Sequence, residues 1–222
     1  MTLPACLSFE TEEMDVPFVI VIIGVLAFSV ILHELGHAWV ALKLGDTTAA
    51  RLGRLTLNPI PHIDPFMTII LPLVLYVGSQ GAFTFGGARP VPVNPANFTS
   101  VAPRKGMMLV AAAGPLVNLL IALVIAPIVH VLFEMNLMSE FLFNTLVFSM
   151  MMNIFLSLLN MVPIPPLDGS KVLAGFLPRD LAYRYLSFER FGFIFLIILV
   201  MIDGFKPLVS ITKNLMQFLL PV

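Results

Sequence analysis

The chain has 222 residues, 59% of them hydrophobic and 11% charged, and its mean hydropathy of +0.99 lies far outside the range of a water-soluble domain. It reads as an integral membrane protein, and a net charge of −1 without a dense basic stripe argues against a nucleic-acid partner. The single cysteine, Cys6, excludes an intrachain disulfide and a thiolate cluster, so any metal chemistry must use histidine and carboxylate.

The opening stretch MTLPACLSFETEEMDVP lacks a basic region ahead of its first apolar run and carries Glu10, Glu12, Glu13 and Asp15. It is not a removable signal peptide by that pattern, so the apolar run that follows is expected to stay as a span. Residues 18–42 form that run, broken by charge only at Glu34 and closed by Gly45 and Asp46. Residues 106–133 and 141–163 contain no Asp, Glu, Lys or Arg, and each reads as a full span; residues 66–77 and 191–202 are apolar but only about half a crossing long. The stretch RDLAYRYLSFER reads as an interfacial amphipathic helix, and 191–222 as a pair of short spans or a hairpin. The fold class is therefore an all-α polytopic membrane protein: about four to six transmembrane helices in one membrane-embedded domain over residues 1–222, with a core at about 18–175 and C-terminal helices at about 179–222.

Ten of the twelve basic residues fall into three groups, Lys43, Arg51 and Arg54; Arg89, Arg104 and Lys105; and Lys171, Arg179, Arg184 and Arg190. The positive-inside rule puts all three groups in the cytoplasm and the acidic N-terminus and the Glu134–Glu140 turn outside. Segment 64–103 then starts and ends inside. Its apolar half is followed by SQGAFTFGGARPVPVNPANF, too rich in Gly and Pro for a helix interior. It reads as a re-entrant structure, one arm helical and one extended, which requires a hydrated or protein-lined cavity beside it. The other reading is a solvent-exposed loop, 80–103, after a true second span; it conflicts with the parity of the basic groups.

The stretch ILHELGHAWV places two histidines and a glutamate inside the first span, where ionisable groups cost about 2.5–3.5 kcal/mol each and mark function. His33 and His37 stand at i and i+4 on one helix face and can bind one ion together, with Glu34 beside them to act on water. This is the H-E-x-x-H spacing of zinc hydrolases. A catalytic zinc needs a third protein ligand and an open position. On the same side of the membrane, Asp46, Asp180 and Glu189 fall in exposed-looking loops, leaving Asp168 and the His62/Asp64 pair. Asp168 follows a proline-rich stretch that must leave helical geometry, which suits a ligand set between two spans and equally suits an ordinary helix cap.

The motifs HELGH at 33–37, GPLVN at 114–118 and NMVPIPPLDG at 160–169 resemble, in order and spacing, those of the site-2 proteases, zinc metalloproteases that cut within membranes. The likeness covers roughly residues 20–175 and is to the compact form, without PDZ-like or CBS-like domains. It implies Asp168 as third zinc ligand beside His33 and His37, Glu34 as catalytic base, and one Zn2+ per chain. GRLTLNPIPHIDP at 53–65 and FGGARPVPVNP at 85–95 resemble segments that form the membrane re-entrant region shaping substrate access. Asn94, Asn118 and Asn160 are then candidate substrate-binding residues, an interhelical hydrogen bond being the alternative for the last two. The resemblance implies transmembrane protein substrates with the lipid bilayer as partner, and with the compact length it points to a multi-pass location in the cell membrane; the length leaves a regulatory module to a partner chain, and the basic groups put the site toward the cytoplasm. The competing reading is a metal transporter or sensor using the same ligands; it lacks a file of ionisable residues, since the spans 106–133 and 141–163 offer only His130.

Overall fold

The computed structural model describes residues 16–70, 74, 77 and 87–220. The acidic stretch 1–15 and most of the Gly-rich half of the re-entrant segment, residues 78–86, lie outside the described residues. Helix α1 is Val16–Lys43, α2 Pro103–Glu134, α3 Glu140–Asn160, α4 Asp168–Phe176, α5 Arg179–Leu186, α6 Glu189–Met201 and α7 Lys206–Leu219. Among the described residues three stretches are long and apolar enough to cross a membrane: Ile20–Lys43, α2 and α3. A fourth results if Ile194–Met201 and α7, bent by 73°, count as one broken span.

Helix α2 is the centre of the bundle, packed against α1, α3 and α4. Lipid tails are as apolar as leucine, so close backbone approach rather than hydrophobicity holds such helices together. The sequence supplies it with small residues: Ala38 and Ala41 on α1 and Ala111, Ala113, Gly114, Ala122 and Ala126 on α2 are all buried. At Gly36 a Cβ would stand 2.8 Å from Val117 Cγ2 and 3.1 Å from the Ala113 carbonyl oxygen, so α1 and α2 meet backbone to backbone there. On the other flank α2, α3 and α7 share a core of Val129, Met150, Ile154 and Met216.

Helix α3 ends at Asn160, three residues short of the span read from composition. Pro163, Pro165 and Pro166 lack amide donors, and each disfavours helical geometry in the residue before it. The chain turns at Met161 and Val162 and restarts as α4 at Asp168. Gly169 makes that return possible: a Cβ there would lie 2.3 Å from the Met161 carbonyl oxygen. Between α1 and α2 the described residues hold only short helical turns, at Thr48–Arg51, Ile60–His62, Pro65–Ile70 and Pro95–Asn97. Residues 87–94 carry no regular structure.

Candidate active site

Two helices bring three side chains to one point. His33 and His37 come from successive turns of α1 and Asp168 from the first residue of α4, which the break after α3 swings back against α1. His33 Nε2 and His37 Nε2 are 3.0 Å apart, and Asp168 Oδ2 lies 3.1 Å from each. All three residues are buried. The opposite ring nitrogens are both spoken for: His37 Nδ1 donates to the Val110 carbonyl at 2.7 Å, and His33 Nδ1 donates to Asn118 Oδ1 at 2.6 Å. A neutral imidazole that donates from Nδ1 has only a lone pair at Nε2. Two lone pairs and a carboxylate oxygen therefore face one another with no proton among them, an arrangement that calls for a cation. The spacing also suits zinc, whose ligands in a tetrahedral site with bonds of about 2.0–2.1 Å stand about 3.3 Å apart.

Asp168 is not a helix cap. The N-cap position is Leu167, with no side-chain capping bond, and the Asp168 carboxylate points at the histidines, its Oδ1 3.8 Å from Lys171 Nζ. His62 and Asp64 do not join the cluster. His62 Nε2 donates to the Thr56 carbonyl at 3.0 Å, and Asp64 Oδ1 accepts from the Phe66 amide at 2.9 Å.

A cavity of about 340 Å³ opens beside the cluster, lined among others by Glu34, Val91, Asn160, Asp168 and Lys171. Glu34 is half-buried, and its Oε2 accepts the Val91 amide proton at 2.7 Å. The irregular segment 89–94 thus runs along the carboxylate, and it is tied at both ends. Arg54 Nη2 donates to the Arg89 carbonyl at 2.6 Å, and the Arg89 amide donates to the His62 carbonyl at 2.8 Å. At the far end the Asn94 amide donates to Asp46 Oδ2 at 2.7 Å.

The three asparagines part company. Asn160 lines the cavity, its Nδ2 bonded to the Leu156 carbonyl. Asn118 is wholly buried behind His33, and Asn94 holds the turn Pro95–Asn97 by accepting from the Ala96 amide. Asp46, which its Gly-Asp-Thr setting marks as an exposed-loop residue, is 1% exposed. Its carboxylate accepts from the Thr48 amide and hydroxyl, Asn97 Nδ2 and the Asn94 amide. Sequence reasoning also passed over Asn153, and it counted Arg54 only among the basic groups. The only signal for Asn153 is an amide inside an uncharged span.

The family model described as peptidase family M50 matches residues 21–146. The "Putative zinc metalloprotease YwhC" of Bacillus subtilis is 39% identical over 180 residues, 78% of this chain and 77% of that one. The chain belongs to peptidase family M50. "Putative zinc metalloprotease Rip2" of Mycobacterium tuberculosis is 33% identical over 182 residues, 82% of this chain and 66% of that one. "Zinc metalloprotease MJ0392" of Methanocaldococcus jannaschii is 28% identical over 155 residues, 70% of this chain and 34% of that one. No solved structure matches. The chain is thus a multi-pass membrane metalloprotease of the M50 family, with a donor set that fits zinc as its cofactor. The family match ends at residue 146, before Asp168, and the fold brings Asp168 to the histidines.

Proposed function

We propose that this chain is an intramembrane zinc endopeptidase that hydrolyses peptide bonds within or near the transmembrane segments of membrane proteins. His33, His37 and Asp168 hold one zinc ion and Glu34 is the general base. The observation that carries the reading is the shared cavity: the three metal-binding atoms and the Glu34 carboxylate line one pocket among helices apolar enough to cross a bilayer.

Bound zinc supplies Lewis acidity, which acidifies water and polarises a carbonyl. Glu34 takes the proton of the attacking water and delivers it to the leaving amide nitrogen. Asn160, the amide in the cavity wall, holds the substrate backbone, while Asn94 and Asn118 act from behind, on the loop and on His33. A helical substrate must unwind locally, exposing backbone groups that are costly in hydrocarbon. The irregular segment 89–94 offers backbone partners beside Glu34, in the manner of a sheet edge that accepts a peptide.

Orientation follows from the basic groups: Lys43 ends α1 and Lys171 stands in the cavity wall, so the site faces the cytoplasm and the N-terminus lies outside. At about 1.5 Å per residue, His37 and His33 lie about 9 and 15 Å from Lys43 along α1, inside a hydrocarbon core about 30 Å thick.

The test is cleavage of a panel of tagged single-span proteins co-reconstituted with the purified chain, wild type against Glu34→Gln, with zinc assayed in both. Cuts inside the apolar span by the wild type, a loss of at least about 100-fold in Glu34→Gln and equal zinc are expected. Cutting only at sites remote from the span, or equal cutting by both proteins, would overturn the proposal.

A further inference from the structure

Behind His33 lies a buried polar network that joins three helices and does not line the cavity. Asn118 of α2, Asn153 of α3 and Ser29 of α1 are 0%, 1% and 2% exposed. Asn118 Nδ2 donates to the Ser29 carbonyl at 3.2 Å and to Asn153 Oδ1 at 2.8 Å. Asn153 Nδ2 donates to the Ser149 carbonyl at 2.8 Å and to Ser29 Oγ at 2.9 Å. All four amide hydrogens are used, and the network ends at Asn118 Oδ1 on His33 Nδ1.

We propose that Asn153 is a positioning residue for the metal centre, acting through Asn118 to set the tautomer of His33; this rests on His33 being a zinc ligand. An asparagine amide can face either way, and only its partners decide which. The Ser149 carbonyl accepts and cannot donate, so the Asn153 nitrogen must face it and the Asn153 oxygen must face α2. That oxygen demands a donor and holds the Asn118 nitrogen at 2.8 Å, with the Ser29 carbonyl as a second, longer hold at 3.2 Å, so Asn118 presents its oxygen to His33. Facing an oxygen, His33 carries its proton on Nδ1 and leaves the Nε2 lone pair free for metal. With Asn118 reversed, the proton would move to Nε2 and His33 would cease to be a ligand at that atom. Ser29 Oγ orients nothing, since the Ser149 carbonyl alone fixes Asn153.

The experiment measures zinc affinity of the purified full chain in detergent by chelator competition, for wild type, Asn153→Leu, Ser29→Ala and His33→Ala. Asn153→Leu should bind zinc about 10–100-fold more weakly, while Ser29→Ala, which also loses a hydrogen bond of this network, stays near wild type. A second readout needs no metal: in nitrogen-15 spectra of the histidine-labelled apo protein, wild-type His33 should show a protonated Nδ1 and Asn153→Leu a mixture of tautomers. Asn153→Ala replaces the leucine variant should the latter not fold, with the same expectations. Unchanged affinity in the Asn153 variant, or a loss no larger than that of Ser29→Ala, would overturn the proposal. Wild-type affinity in His33→Ala would instead overturn the ligand assignment beneath it.

Discussion

Gly114 shows how much of the metal centre depends on a group that is not there. A Cβ at this position would lie 2.5 Å from His37 Cε1 and Nε2 and 2.6 Å from His33 Nε2, in the space between the two donor atoms. Carbon and nitrogen atoms do not approach so closely, and neither ring can retreat because each Nδ1 is anchored, one to the Val110 carbonyl and one to Asn118. Gly114→Ala should therefore leave a folded chain that binds zinc at least about 10-fold more weakly, the scale on which a displaced ligand partner acts; equilibrium dialysis against wild type measures it. At this scale the sequence was legible where chemistry constrains spacing. Two histidines one helical turn apart with a glutamate between them have little other reason to stand in a span. It was not legible where only the tertiary fold decides. Asp168 looks the same as cap or as ligand until α4 is swung against α1, and Asp46 looks like a loop aspartate until the backbone of residues 94–97 closes over it.

The segment 89–94 is the element that contacts Glu34, the proposed base, and no strand or helix holds it. Its anchors are Arg54 at one end and Asp46 at the other, with the Val91 amide on Glu34 between them. Arg54→Ala removes the donor to the Arg89 carbonyl, and the expected result is cleavage reduced by 10-fold or more with zinc content unchanged, read from turnover and metal analysis of the same preparation. The Asp46 anchor is pH-dependent in a definite direction. Burial pushes its carboxyl up, but hydrogen bonds from Thr48, Asn97 and the Asn94 amide outweigh this and lower it below the ordinary value. A group lowered on folding stabilises at pH above its unfolded value of about 3.9 and loses that contribution as pH falls through the folded value. Protection of the Asn94 amide against hydrogen exchange should hold constant at neutral pH and fall below about pH 4. In Asp46→Ala it should be lower throughout and lack that step, by an amount of order the 1.5–3 kcal/mol, roughly, of a hydrogen bond to charge. That residues 87–94 form no helix was readable from their Gly and Pro content, because those residues disfavour one. Their register against Glu34 was not, because backbone hydrogen bonds leave no mark in side-chain pattern.

At the scale of the whole molecule, the spans with uninterrupted apolar runs were legible almost to their ends, and the exception at residues 161–163 follows from prolines that are themselves visible. The C-terminal pair was legible only as two short apolar stretches. The 73° bend between them depends on packing of α7 against α2 and α3, including the bond from His130 to the Leu219 carbonyl. What the fold does not carry in its own geometry is which face meets the cytoplasm, and there charge decides. Lys43 closes α1 with its Nζ 5.4 Å from the ring of Trp39, a pairing suited to the membrane–water boundary. Lys171 and the basic residues of α5 stand beyond the end of α3, while the turn at residues 135–139 holds no lysine or arginine. One basic side, with the helix that carries His33 and His37 ending on it, predicts a site reached from the cytoplasm. Because Cys6 is the sole cysteine, replacing it by serine allows single-cysteine reporters at exposed positions in the two loops, Leu137→Cys and Ser187→Cys. A membrane-impermeant maleimide should label Leu137→Cys in intact cells and Ser187→Cys only after permeabilisation. The opposite pattern would place about ten positive charges on the translocated side, against the bias that orients membrane helices, and would move the candidate active site to the outer face.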